Sequence, residues 1–413
     1  MSQDSAEPAA PQRTAAFGFV FATALMNAVS FGIMIPILPN LLKRFVHGDT
    51  AAASEWNVLF AVSWGAMQFL VGPALGMLSD RYGRRPVLLI SIFGLFVDFL
   101  FMAFAPNLAW LYVGRILNGI TAASFSTANA YVADITPPDR RARNFGIMGS
   151  AIGFGFVIGP TIGGLLGEIS LRLPFIVAAA LCLVNWLYGF FILPESLVPD
   201  RRTRRIDWRV ANPFGSLLFL RNHGELLGLA GVGLLFQLGF TVLPSIFVLY
   251  TGYRYGWTPG ILGLTFLASG TCQILVQIFV VGPVVRRMGE RGAVLLGAGL
   301  GAVSFVIYGL AAKPWLYLLG MPIFAMTGLL QPGLMALMTR RVDPRHQGQL
   351  QGANQSLQGV ASMLGPVIFG LTFAWSIRHE ASLHQPGVAI LLAAGLLALA
   401  FILSLRVAHP QAA

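Results

Sequence analysis

Gly76-Met77-Leu78-Ser79-Asp80-Arg81-Tyr82-Gly83-Arg84-Arg85-Pro86 lies between two long apolar runs and sets four charges within six residues. A loop this short and this basic, clamped between membrane-length segments, is retained on the cytoplasmic side of a bilayer. Gly76 and Gly83 allow close helix approach and a tight turn, and Asp80 can pair with an Arg or accept from a helix N-terminus. The loop therefore predicts a polytopic membrane protein, and the rest of the chain can be oriented from it.

Composition agrees. Of 413 residues, 56% are hydrophobic and only 10% charged, with a mean hydropathy of +0.73. Soluble domains carry about 25% charged residues. The net charge of +11 does not point to nucleic acid, because the basic residues are scattered through short loops. Cys182 and Cys272 lie far apart in apolar segments and read as inert, with no disulfide or metal spacing. The six His are dispersed, and no Ser or Cys nucleophile with a His base stands out, so no enzyme is expected. Residues 1–15 hold Asp4, Glu7 and a single Arg without a short apolar core, and read as a disordered cytoplasmic tail rather than a removable signal peptide.

About 20 apolar residues span a bilayer as a helix. Twelve such runs are expected: 16–41, 56–78, 87–105, 108–133, 144–166, 174–194, 226–250, 259–281, 293–312, 315–338, 351–375 and 386–406. With the N-terminus inside, Lys43, Arg44, Arg172, Arg254, Lys313 and Arg378 are the six outer cations, Arg115 lies in a helix, and the other twenty of 27 face the cytoplasm. That asymmetry places both termini inside. The longest loop, 195–225, holds Arg201, Arg202, Arg204, Arg205 and Arg209 before the apolar Phe214–Leu220 stretch. Two readings stand open, a segment lying on anionic lipid and a solvated linker. Both make it the boundary between six-helix bundles at 16–194 and 226–406, with a tail at 407–413.

The halves repeat. A shift of 206 residues aligns Gly76 with Gly282, Arg81 with Arg287, Gly83 with Gly289, Pro138 with Pro344 and Gly146 with Gly352. It also aligns Gly153 with Gly359, Gly159-Pro160 with Gly365-Pro366, and Gly164 with Gly370. Parallel repeats of this kind place a substrate site between halves near the midplane. The second-half loop has Arg286 where Asp80 stands in the first, and reads as a degenerate copy.

Asp98 and Arg115 are the most costly side chains in the chain, about 2.5–3.5 kcal/mol each at a helix centre. Asp98 precedes Pro106 by eight residues and Arg115 follows Asn107 by eight, so in an antiparallel hairpin they share a depth. Two readings remain open: a structural ion pair, or a carboxylate that faces a wet cavity and carries a proton.

The pattern Gly76-x-Leu-x-Asp80-Arg-x-Gly83-Arg84-Arg85 resembles the loop between the second and third helices of major facilitator transporters. There the resemblance implies a cytoplasmic gate formed by Gly76, Asp80, Arg81, Gly83, Arg84 and Arg85; a plain topology signal is the alternative. Gly153, Gly155, Gly159, Pro160, Gly163 and Gly164 resemble the antiporter signature of drug/proton exporters, and Arg115-Ile-Leu-Asn118-Gly119 the fourth-helix signature of proton-coupled facilitators. Further strings are similar to the bacterial tetracycline efflux proteins: Met34–Pro39, Tyr131–Thr136, Leu193-Pro-Glu-Ser196 and Gln347–Gly352. Those exporters place acids at the positions of Asn27, Asp98 and Gly301, and only Asp98 is kept here, which weakens the case for a metal–tetracycline cation as cargo.

The resemblance implies an all-α protein of twelve transmembrane helices in two parallel-repeat bundles. Its expected function is proton-coupled export of a small amphipathic compound by alternating access. Uptake of a small metabolite and a non-transporting receptor or scaffold are the alternatives. Asp98, Arg115 and Asp134 are the expected proton-coupling residues. Asn27, Ser30, Phe31, Asn118, Phe236, Gln237, Gln331 and Gln355 are the expected substrate contacts, although each polar one could simply bond a neighbouring helix. No cofactor and no metal is expected, the proton gradient being the energy source. The expected partners are a small molecule, protons and lipid, with no nucleic acid, for a monomer in the bacterial inner membrane.

Overall fold

A computed structural model describes residues 10–122, 124–137, 140–197, 224–342 and 347–407. Every element is helical among them: α1 (Ala10–Met34), α2 (Leu38–Phe45), α3 (Thr50–Tyr82), α4 (Arg84–Phe104), α5 (Leu108–Thr121), α6 (Ser124–Ile135), α7 (Arg141–Ile169) and α8 (Leu173–Ile192). There follow α9 (Gly224–Phe240), α10 (Val242–Tyr255), α11 (Pro259–Phe279), α12 (Val281–Leu310), α13 (Pro314–Ala325), a 3₁₀ turn (Met326–Leu329), α14 (Leu330–Thr339), α15 (Gln347–Arg378), α16 (Glu380–Leu383) and α17 (Val388–Val407).

Among the described residues ten helical spans, some of them joined pairs such as α9 and α10 (Leu226–Tyr255), are long and apolar enough to cross a membrane, and α3, bent between Gly72 and Ala74, makes up to eleven if taken as one span. The bend falls at Pro73, which lacks the N–H a straight helix needs. The fourth expected span is realised as α5 and α6, too short singly at 14 and 12 residues. Large apolar side chains such as Ile169, Phe191 and Leu319 remain exposed, as lipid-facing surfaces require.

The chain forms two compact units. The first holds residues up to Ile37 with Ala66–Ala211, the second Leu38–Gly65 with Asn212–Ala413. Part of the expected first bundle, α2 and the start of α3, thus packs in the second unit, where Ser54 Oγ donates to Gly370 O at 2.9 Å and Glu55 pairs with Arg378 at 2.6 Å. Ala10–Ala15, expected in the tail, are helical. Most of the basic loop, 198–223, and the last residues, 408–413, lie outside the described residues, so the readings made on them gain no structural account.

In the first unit, Phe19, Val20, Leu88, Ile92, Tyr131 and Val132 form a core between α1, α4 and α6. In the second, aromatic rings dominate: Tyr308 and Tyr317 stack at 4.1 Å, and Tyr250 donates its hydroxyl to Tyr308 O at 2.9 Å. Buried phenols need such partners, and their rings supply large apolar area.

Candidate functional site

Three clusters gather the residues singled out by sequence. The first is the loop between α3 and α4. Gly83 has φ 111, a conformation that a side chain disfavours, and there the chain breaks from α3 into α4. Arg84 then reaches back: Nη1 donates to Asp80 Oδ1 at 2.5 Å and to Ser79 Oγ at 3.0 Å, and Nε donates to Asp134 Oδ2 at 3.1 Å. Arg84 thereby ties the loop to the end of α6. Arg85 Nη2 donates to Phe190 O at 2.6 Å, meeting an orphan carbonyl in the last turn of α8. Arg81 points along the surface over the Tyr82 ring, and Gly76 has open space around it.

Asp134, an expected proton-coupling residue, bonds at this loop, with Arg84 and with Ser196 Oγ at 3.2 Å. Glu195, within the Leu193–Ser196 string, has a role that its sequence context does not assign. Its carboxylate accepts from the backbone N–H of Arg84 at 2.8 Å and of Arg85 at 3.2 Å, capping α4 where free N–H groups and the helix dipole attract an anion. Tyr131 donates to Pro194 O at 2.7 Å and anchors the same segment. The strings Tyr131–Thr136 and Leu193–Ser196 thus have one physical role, the closing of this loop.

The second cluster is intramembrane. Asp98 and Arg115 face each other across the α4–α5 hairpin, with Nη1 and Oδ2 3.6 Å apart, and both are fully buried. Asn107 caps α5 by accepting from Trp110 N at 3.2 Å, which sets the register of the hairpin. Gly114 leaves room for the carboxylate; a Cβ there would sit 3.1 Å from Asp98 Oδ1. Arg115 Nη2 also contacts the Met34 sulfur. The two charges stand at ion-pair distance, and neither carboxylate oxygen has a hydrogen-bond partner among the described residues. Nearby in the first unit, Asn185 Nδ2 donates to Asn27 Oδ1 at 3.4 Å, and Asn185 Oδ1 accepts from Thr23 Oγ1 at 3.0 Å. Asn27 is thus bonded to a neighbouring helix and Ser30 is buried, while the Phe31 ring lies 6.2 Å from that of Phe125 and Asn118 is buried in α5.

On α7, the glycine string divides by face. A Cβ at Gly155 would lie 2.9 Å from Val29 N, one at Gly159 2.6 Å from Val29 O, and one at Gly163 2.8 Å from Ile33 Cα. Pro160 Cδ lies 2.8 Å from where a Gly32 Cβ would stand. These residues form a seam of near backbone contact with α1, whereas Gly153 faces open space; Gly164 is buried.

The third cluster is a small opening of about 30 Å³ in the second unit, lined by Gln237, Gln331, Asn354, Met335, Met338 and Leu357. It brings together Gln237 and Gln331; from α15 it takes Asn354, whereas Gln355 points to the exposed face. Phe236 turns into the core, its ring 5.9 Å from that of Phe240. Gly301 is closed off, since a Cβ there would meet Thr327 Cγ2 at 2.9 Å. No group of His, Cys, Asp or Glu that could hold a metal occurs among the described residues.

Comparison with known proteins agrees with this architecture. The family model of the Major Facilitator Superfamily matches residues 20–366 and 229–413. The chain is 40% identical to the tetracycline resistance protein, class C, of Escherichia coli over 86% of this chain and 89% of that one. It is 27% identical to multidrug resistance protein 2 of Bacillus subtilis (strain 168) over 85% and 87%. Among solved structures, the nucleoside transporter NupG superposes with a TM-score of 0.76 at 13% identity, covering 97% of this chain and all (100%) of that one. The human organic anion transporter MFSD10 gives 0.68 at 22%, covering 97% and 100%. The chain is a multi-pass membrane transporter that belongs to the Major Facilitator Superfamily, among the relatives of the tetracycline resistance efflux proteins.

Proposed function

We propose that this transporter exports a small amphipathic compound in exchange for protons, by alternating access, from a bacterial inner membrane with both termini in the cytoplasm. The observation that supports it is the Asp98–Arg115 pair, since Asp98 is the one acid in the fully buried set among the described residues. A lone intramembrane pair is costly to retain, and exchanging a proton for cargo gives it a use. Cargo or a conformational shift that parts the two charges would favour protonation of Asp98; their return would release the proton. The Asp80–Arg84–Asp134 network supports the gating half of the cycle, because it ties the α3–α4 loop to α6 by bonds that can form and break as a set. Gln237, Gln331 and Asn354 offer neutral hydrogen-bonding groups to the cargo, and Met335 and Met338 an adaptable apolar lining.

The test uses inverted membrane vesicles with an imposed pH gradient, and ethidium and Mg²⁺–tetracycline as probes. Accumulation of a probe that collapses with a protonophore is expected. Accumulation that is indifferent to the pH gradient, or no movement of either probe, would overturn the reading.

A further inference from the structure

The loop between α11 and the transmembrane part of α12 reads from sequence as a degenerate copy of the first-half loop. The structure gives it a defined design. Gly289, the repeat partner of Gly83, likewise has positive φ, 70°, and breaks α12 at the same point. Arg291, the partner of Arg85, likewise donates through Nη2 to a carbonyl in the last turn of its bundle's final helix, Leu405 O at 3.0 Å. Between these two positions the charges invert. Shifting Arg84 by the repeat offset gives Glu290, shifting Asp134 gives Arg340, and shifting Asp80 gives Arg286. Glu290 Oε1 and Arg340 Nη2 pair at 2.5 Å, as Arg84 and Asp134 do in the first half. Arg286 and Glu290 line one opening of about 770 Å³ with Pro332, Gly333 and Ala336 of α14. Gly333 lets α14 approach closely, since a Cβ there would lie 2.9 Å from Glu290 O.

Helix electrostatics explain the inversion. Glu290 begins the helical segment after Gly289, where an anion is favoured, and Arg340 caps the C-terminus of α14, where a cation is favoured. In the first half the polarity is opposed to both helix ends, and Glu195 supplies the missing anion at α4. The repeat partner of Glu195 is Phe401, so the second half has no carboxylate at that position and needs its anion within the triad.

We infer that Glu290 and Arg340, with Arg286 lining the opening beside them, form a second, charge-reversed tie between the loop preceding a bundle's third helix and the end of its fourth, with Glu290 as a positioning residue for transport. This rests on the transport reading above. Arg340 is 71% exposed, so the pair adds little to static stability; its effect lies in holding the loop's position through the cycle.

The experiment compares Glu290→Gln, Glu290→Asp, Glu290→Arg, and the reversal Glu290→Arg with Arg340→Asp and Arg286→Asp. Trypsin cleavage of the purified full-length protein in detergent is read first, since it needs no cargo. Glu290→Gln and Glu290→Arg should speed cleavage after Arg287 or Arg341 by about threefold to tenfold, while Glu290→Asp should not. In vesicles charged with ethidium or Mg²⁺–tetracycline, Glu290→Arg should lower the maximal rate about tenfold at unchanged KM, and the triple reversal should return to within about threefold of the parent. Parent-like cleavage in Glu290→Gln and Glu290→Arg would overturn the tie even if neither probe is transported. Altered cleavage with a parent-like maximal rate would overturn its role in transport. A parent protein that moves neither probe yet shows the cleavage differences would count against the transport reading and leave the tie standing.

Discussion

Asp98 and Arg115 pose the sharpest question at the scale of single residues, because a buried ion pair can serve structure, coupling or both. Removing one partner of such a pair leaves an uncompensated charge and destabilises by about 3–5 kcal/mol, whereas replacing both with neutral groups of similar shape is often near neutral. Asp98→Asn and Arg115→Gln should therefore each lower the thermal stability of the purified protein, and the double variant should recover most of it. Coupling predicts a different pattern for transport. Any variant without the Asp98 carboxylate should fail to build a probe gradient from a pH gradient, the double variant included, while downhill exchange survives there. Uphill transport by the double variant would make the pair purely structural. This pair was legible in sequence as two charges equidistant from a Pro106-Asn107 turn, since hairpin geometry converts spacing into depth. The Asn27–Asn185 bond was not, because the partners lie 158 residues apart and nothing local to either marks the other.

At the scale of elements, the α7 seam makes a prediction with an internal control. The Cβ positions at Gly155, Gly159 and Gly163 fall on α1 backbone atoms, which cannot turn aside as a side chain could. Gly153, on the same helix and in the same motif, faces open space. Gly159→Val should thus force α1 and α7 apart at a cost of about 1–3 kcal/mol or more, and reduce both folded yield and transport. Gly153→Val should leave folded yield close to parent. Equal yields from the two variants would show that the seam loosens without cost. Sequence alone exposed the glycine string but not its division into a packed and an open face, because that depends on which helix lies alongside. The α3–α4 loop shows the same limit. Its charge cluster and glycines stood out as a local pattern, while the carboxylate that caps it, Glu195, lies 111 residues from Arg84.

At the scale of the whole molecule, hydropathy and the repeat offset anticipated the helical architecture, and the turn expected at Gly83 has a counterpart at its repeat partner Gly289. They did not anticipate that α2 and the first half of α3 pack in the second unit, because long helices of uniform apolarity do not reveal where packing changes partner. The same view bears on cargo. The chain is 40% identical to a tetracycline resistance protein, yet Asn27 is engaged by Asn185 and Gly301 is shut by Thr327, so two positions where the exporters keep acids offer no negative charge here. The small opening around Gln237 in the second unit is lined by neutral groups, Gln237, Gln331 and Asn354, with the two methionines beside them. Neutral amides and polarizable thioethers suit an uncharged or weakly cationic amphipathic ligand better than a metal chelate, whose capture draws on carboxylate potential. In competition assays on parent vesicles, ethidium should therefore be accumulated in preference to Mg²⁺–tetracycline, and Gln237→Ala should raise the KM for ethidium several-fold with little change in the maximal rate. Tetracycline accumulation that exceeds ethidium and disappears when Mg²⁺ is chelated would show that Asp98 alone supplies enough negative potential for a chelate, and the neutral opening would then cease to be the determinant of cargo.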